Sequence, residues 1–189
     1  MKKIGIYGGS FDPIHHGHLI LAREAREALG LEKVIFVPAA MSPFKTRAAA
    51  ASGDMRLKML RAAIEGEEGF ATDDCELQRP PPSWTIDTVL AIRKRETDSE
   101  VYLLIGEDNV ATLDRWRRFD ELNKLARFVV LDRTGSQTQR DYQVVRRKID
   151  ISATDIRKRV AYGQSIRYLV PPAVEKIIQR EKLYREQSK

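Results

Sequence analysis

Short apolar runs alternate along this chain with segments of helical spacing. Residues 4–7 read as a buried strand. Over 19–29 the apolar positions 19, 20, 22, 25, 28 and 29 keep near-helical spacing, and Gly30 supplies a C-cap. The β-branched and aromatic run 34–37 predicts a second strand, ended by Pro38. Strand, helix and strand at this length predict a right-handed βαβ unit. Further along, the pattern predicts a helix over 54–64 with Leu57, Leu60 and Ile64 inward, and a turn at 66–69. A short strand at 70–72 follows, then a helix from Ser83 or Thr85 to about Arg95, a strand at 101–105, a helical turn at 108–113 and a fifth strand at 128–131. Segments 39–53 and 136–143 carry no regular pattern and read as loops.

One stretch concentrates the chemistry. All three histidines, His15, His16 and His18, fall within GIYGGSFDPIHHGH, residues 5–18. Gly8 and Gly9 close the first strand, where a residue without Cβ lets backbone approach a ligand. A glycine turn leading into a helix N-terminus presents free N–H groups and a positive dipole end, which suits phosphate. Histidines at that entrance donate hydrogen bonds as charge builds on phosphate oxygens. The stretch lacks the spacing of a dinucleotide fingerprint or a P-loop. No Cys, Asp or Glu with zinc-ligand spacing accompanies the histidines.

A second segment, IDISATDIRKRV (149–160), offers Ser152 or Thr154 as N-cap, with Arg157 in the first turn of the helix. A cation there opposes the helix dipole unless an anion is present. Hydroxyls, free N–H groups and an arginine together suit phosphate, although a capped surface helix has the same pattern. Gly106 and Asp108 follow the 101–105 strand and share the carboxyl rim with Gly8 and Gly9. Asp108 suits a ribose hydroxyl, a metal or simply a helix cap. Trp116, among Arg115, Arg117 and Arg118, suits either the core or a stacking platform. Lys45 and Arg47, in the 39–53 loop, are placed to close over phosphates or to remain solvated.

Composition narrows the classes. The 189 residues suit one domain, with 42% hydrophobic and 32% charged residues. No apolar run reaches the ~18 residues of a membrane span, and glycines break the only stretch that begins like a signal peptide. Cys75, the only cysteine, excludes an internal disulfide and suits a cytoplasmic location. The net charge of +6 favours anionic partners. The basic residues are interspersed with acids and form no long tract, so composition leaves nucleic acid and small phosphorylated substrates both open.

His15-His16-Gly17-His18 resembles the HxGH signature of the nucleotidyltransferase superfamily, and ISATDIR (151–157) resembles its second signature, ISSTxxR. SPFK (42–45), SWTIDT (83–88), GEDN with Trp116, and GQSIRYLVPPAVEKII (163–178) narrow the resemblance to the bacterial nicotinic acid mononucleotide adenylyltransferases. It covers residues 1 to about 185. With the alternating pattern, it implies an α/β, Rossmann-like, doubly wound and mostly parallel sheet. The chain is then a single nucleotidyltransferase domain, 1–189, whose small helical C-terminal part begins at about 152.

The implied activity is adenylyl transfer from ATP to nicotinic acid mononucleotide, with Mg²⁺ carried by ATP and no protein-held metal. The resemblance assigns His15, His18, Lys45 and Arg157 to catalysis at the phosphates. Gly8, Gly9, Ser10, Phe11, Gly106, Asp108, Ser152 and Thr154 are assigned to ATP, and Thr85, Trp116 and Arg133 to the mononucleotide. The chain departs from the family pattern at Phe44, Trp84, Arg117 and Ala153. Phosphopantetheine adenylyltransferase is the nearest alternative, and a non-catalytic nucleotide or nucleic-acid binder is the alternative of another class. Neither a nucleic-acid nor a membrane partner is expected, and the oligomeric state, a homo-oligomer included, stays open.

Overall fold

The computed structural model describes residues 1–41, 48–135 and 142–185. Lys45, Phe44 and Arg47 lie outside the described residues. Six strands, β1 (Lys2–Gly9), β2 (Lys33–Pro38), β3 (Phe70–Thr72), β4 (Ser99–Gly106), β5 (Arg127–Asp132) and β6 (Gln143–Arg146), form one sheet in the order β3-β2-β1-β4-β5-β6. Every pairing is parallel. The helices are α1 (His16–Leu29), α2 (Gly53–Ala63), α3 (Thr85–Arg95), α4 (Phe119–Leu125), α5 (Ala153–Ala161) and α6 (Pro172–Arg180), with a 3₁₀ helix at Glu107–Arg115 after β4.

Strand alternation divides the core into two layers. Tyr7, Val34, Phe36, Tyr102, Leu104, Val129 and Leu131 pack on one face under α1, α2, α5 and α6. Ile4, Ile6, Ile35, Val37, Leu103, Ile105, Phe128 and Val130 pack on the other, under α3, α4 and the 3₁₀ helix. A parallel sheet buried on both faces needs such continuous apolar runs, which is why 4–7, 34–37, 101–105 and 128–131 are readable as strands. Gly30 ends α1 with φ 61°, its N–H reaching Arg26 and Glu27 carbonyls, as its position after the apolar periodicity predicts.

Three expectations are corrected. The first helix begins at His16 rather than Leu19, so the HxGH residues are its first turn. The N-cap of α3 is Trp84, neither Ser83 nor Thr85. Ser83 Oγ instead accepts from the Ala40 and Met41 N–H groups at 3.0 and 3.4 Å. The stretch read as loop to residue 143 ends in β6, a four-residue edge strand in which only Val145 is buried.

The chain leaves β1 toward β2 and β4 toward β5, on opposite sides. The β1/β4 junction is therefore the topological switch point, where open parallel sheets hold ligands beyond the strand carboxyl ends. Gly8 and Gly9 end β1 there, and Gly106 ends β4.

Candidate active site

Helix α1 starts at the carboxyl end of β1 with His15 as N-cap and His18 at its third position. These positions lie on one face of the first turn, and the His15 backbone N–H reaches His18 Nδ1 at 3.3 Å. The two imidazoles stack with centroids 3.7 Å apart. His15 is buried at 1% exposure, and its Nδ1 has no hydrogen-bond partner. Burial, helped by Arg133 and His16, pushes its pKa down to about 3, so the ring is neutral. His18 is half-buried. Its ring meets Phe11 edge-on at 5.1 Å and Tyr7 at 6.1 Å.

Phe11 adopts φ 46°, a left-handed conformation that costs an L side chain energy and needs surrounding contacts to hold it. Its buried ring supplies them by packing on Tyr7, His18 and Phe36. The ring also lies 2.9 Å from where a Cβ on Gly9 would sit, so Gly9 is small for packing. Gly8 is exposed, with nothing within 4 Å of a Cβ, and leaves open space at the strand end. Ser10 is half-buried beside it.

The second motif reaches this turn from the far side of the sheet. After β6 the chain crosses the carboxyl end of β5, where Asp132 and Arg133 carbonyls accept from Arg147 and Ile149 N–H groups. Ile149 Cγ2 comes within 3.5 Å of a Cβ placed on Gly17, which joins the segment to the α1 N-terminus. Ser152 caps α5, accepting from the Asp155 N–H at 3.1 Å. Thr154 lies inside the helix, not at its cap, and Arg157 stands just past the first turn rather than within it. Arg157 donates Nη1 to the Asp12 carbonyl at 2.6 Å and Nη2 to Thr154 Oγ1 at 3.2 Å. Arg133, exposed at the end of β5, donates to the Ile151 carbonyl at 3.1 Å. His15, His18, Ser10, Phe11, Thr154, Arg157 and Arg133 thus meet at one carboxyl edge.

The β4 side is less tightly joined to them. Asp108 is exposed, its carboxylate folded over Gly106 and hydrogen-bonded to Asn109 Nδ2 at 3.2 Å. Its charge, with that of Arg133, acts on Tyr7 beneath the site. Trp116 is half-buried, packs edge-on against Phe128 at 6.3 Å, and keeps a buried Nε1 with no hydrogen-bond partner. Thr85 is the first residue of α3, and its neighbour Trp84 carries the Arg117 guanidinium over its ring at 5.3 Å. Two residues that depart from the family pattern therefore touch each other. A separate groove of about 350 Å³, lined by Leu19, Arg23, Glu65 and Phe70 among others, lies away from this edge.

Asp12, Arg56 and Tyr184 join these residues by hydrogen bonds, and sequence reasoning did not single them out. Asp12 sits inside the first motif, and its acidic identity among glycines and histidines was the available signal. Arg56 and Tyr184 carry none, because only the tertiary fold brings them to Asp12.

Residues 6–159 match the cytidylyltransferase-like family model, which sets the class as nucleotidyltransferase. A relative from Shouchella clausii, named "Probable nicotinate-nucleotide adenylyltransferase", is 45% identical over 187 residues, 97% of each chain. One of the same name from Rhodopirellula baltica is 40% identical over 199 residues, 96% of this chain and 93% of its own. The chain belongs to the nicotinate-nucleotide adenylyltransferase family. The fold is shared with Plasmodium falciparum nicotinic acid mononucleotide adenylyltransferase complexed with NaAD, at TM-score 0.80 and 19% identity over 97% of this chain and 98% of that one.

Proposed function

We propose that this chain transfers the adenylyl group of ATP to nicotinic acid mononucleotide, giving deamido-NAD and pyrophosphate in NAD biosynthesis. The observation that carries the reading is the union of the two phosphate motifs at the switch point through the Arg157–Asp12 and Arg133–Ile151 hydrogen bonds.

The 5′-phosphate of the mononucleotide attacks the α-phosphorus of ATP. A new P–O bond forms, the bond to the β-phosphate breaks, and its electron pair leaves with pyrophosphate. The acceptor is already anionic, so no general base is needed, and the protein acts by positioning and charge stabilisation. His18 faces the α-phosphate in this reading, with neutral His15 stacked behind it to fix the ring. Arg157, Lys45, Ser152 and Thr154 meet the triphosphate. Gly8, Gly9, Ser10 and Phe11 form the turn beneath it, and Gly106 and Asp108 flank the adenosine. Thr85, Trp116 and Arg133 serve the mononucleotide.

The described residues hold no group of three His, Cys, Asp or Glu able to cage a metal. In this reading a Mg²⁺ would arrive on ATP oxygens and water and would supply charge neutralisation for the leaving pyrophosphate. We read the chain as one catalytic domain whose C-terminal helical part, from about 152, packs on the nucleotide-binding sheet. Among the described residues no helix is long and apolar enough to cross a membrane.

The test is pyrophosphate release with Mg²⁺-ATP and, in parallel, nicotinic acid mononucleotide, nicotinamide mononucleotide or phosphopantetheine. Strong preference for the first is expected. Turnover with phosphopantetheine alone would overturn the reading, as would salt-sensitive nucleic-acid binding without turnover.

A further inference from the structure

Asp12 sits at the centre of a buried network that reaches well beyond the two phosphate motifs. Its carboxylate, 5% exposed, accepts from the Ala50 and Ala51 N–H groups at 2.7 and 3.1 Å and from the Tyr184 hydroxyl at 2.7 Å. Arg157 Nη1, already bonded to the Asp12 carbonyl, lies 4.0 Å from Asp12 Oδ2. Arg56, 2% exposed, donates Nη1 to the Ser10 carbonyl at 2.7 Å and Nε to the Ala51 carbonyl at 3.3 Å. The phosphate turn, the entry to α2, α5 and the segment after α6 therefore converge on one carboxylate. The packing of α6 on α2, with a Lys58–Glu181 ion pair at 3.0 Å, carries Tyr184 there.

The arrangement has a direct consequence for Arg157. Its guanidinium is fixed in plane by the Asp12 carbonyl on one nitrogen and Thr154 Oγ1 on the other. Such fixing suits phosphate recognition, where small misplacements are costly. Asp12 Oδ1 is shared between the Tyr184 hydroxyl and the Ala51 N–H. Removing the hydroxyl leaves a buried anion short of a donor, and the nearest compensation is to swing toward the arginines. Burial and the Asp12 charge hold the Tyr184 proton in place, so this residue remains a donor at any working pH.

We propose that Tyr184, acting through Asp12, is a positioning residue that holds Arg157 in the orientation needed at the triphosphate, so that the segment following α6 completes the active site. The inference rests on the adenylyl-transfer reading for its kinetic test, but not for its binding test.

Tyr184→Phe in the full chain removes the hydroxyl and keeps the ring. Expected is a roughly 10-fold fall in kcat/KM for ATP with the KM for nicotinic acid mononucleotide unchanged. Combined with Arg157→Lys, the losses should be less than additive, because both changes act on one contact. Asp12→Asn, of nearly equal volume, is the second variant and should lower the same parameter. Wild-type kcat and KM with only a shifted melting temperature, or strictly additive losses, would overturn the proposal. Calorimetric titration with Mg²⁺-ATP provides a readout independent of turnover. Weaker binding by Tyr184→Phe supports positioning, even if the wild-type chain is inert toward the mononucleotide and the activity reading fails. Equal affinity overturns positioning whatever the activity.

Discussion

The imidazoles of His15 and His18 lie face to face, 3.7 Å between centroids and 27° between planes, with His15 buried and His18 half-buried. Burial, helped by Arg133 and His16, pushes His15 down to about 3 from its ordinary 6.5. Between those values the unfolded chain binds a proton here that the folded chain does not. Stability from this residue is therefore full above pH 6.5 and lost as pH falls toward 3. At pH 5 the loss is about 2 kcal/mol. Asp132, held below its ordinary 3.8, acts only at lower pH: burial raises it, but the Gly135 and Thr134 N–H groups outweigh that. Urea unfolding at pH 7.5 and pH 5 should show a larger drop for the wild type than for His15→Gln. Equal drops would mean that His15 titrates normally.

His18→Ala removes the side chain proposed to face the α-phosphate and leaves the α1 cap residue in place. Turnover should fall by roughly 100- to 1,000-fold with the melting temperature little changed. Near-normal turnover, read as pyrophosphate release, would remove His18 from the chemistry.

Gly17 and Gly8 make a discriminating pair. A Cβ on Gly17 would meet His15 Cε1 and Nδ1 at 3.0 Å and so displace the stacked ring. Alanine there gains about 1 kcal/mol of helix propensity, so Gly17→Ala should keep its stability while turnover falls about 10-fold or more. A Cβ on Gly8 meets nothing within 4 Å. Gly8→Ala should therefore fold normally and raise the KM for ATP by intruding on space kept for the nucleotide. Unchanged kinetics in both variants would move the phosphate site elsewhere.

Much of the fold was legible because strands buried on both faces leave apolar runs with no competing pattern. The start of α1 was not, because its first turn is His-Gly-His, which has no apolar side chain to extend the periodicity. Strand β6 was hidden for the opposite reason: QVVR is an edge strand with one buried side chain, too short for alternation to register. The motifs were legible because their residues cluster in sequence, and the fold brings both to the carboxyl edge of the sheet. Arg56, Asp12 and Tyr184 act through contacts made only on folding, and periodicity says nothing of those.

Arg56 illustrates the energetic side of such contacts. Its guanidinium is buried, and burial lowers its pKa while Asp12 partly offsets that. Arg56→Met keeps the stem but leaves the Ser10 carbonyl without this donor and Asp12 without a nearby cation. Breaking a buried charged network in this way costs about 3 kcal/mol or more. Denaturant midpoints should fall accordingly, and Mg²⁺-ATP binding should weaken with them, because Ser10 lies in the turn proposed to hold the phosphates. A loss under about 1 kcal/mol would show that water replaces the guanidinium.

Arg117 bears on the acid-over-amide preference. Arg117 follows Trp116 in the chain, and its guanidinium lies over Trp84, the N-cap of α3 and the residue directly before Thr85. No side chain caps that helix end, so a cation beside it adds to the local positive potential, which favours a nicotinate carboxylate over a carboxamide. A cation–π contact of this exposed kind is worth about 0.5–1 kcal/mol. Arg117→Ala should raise the KM for nicotinic acid mononucleotide about 2- to 5-fold, leave the KM for ATP unchanged, and narrow the ratio between acid and amide substrates. The same ratio in wild type and variant, measured side by side, would place acid recognition in the backbone of the α3 entrance rather than in this arginine.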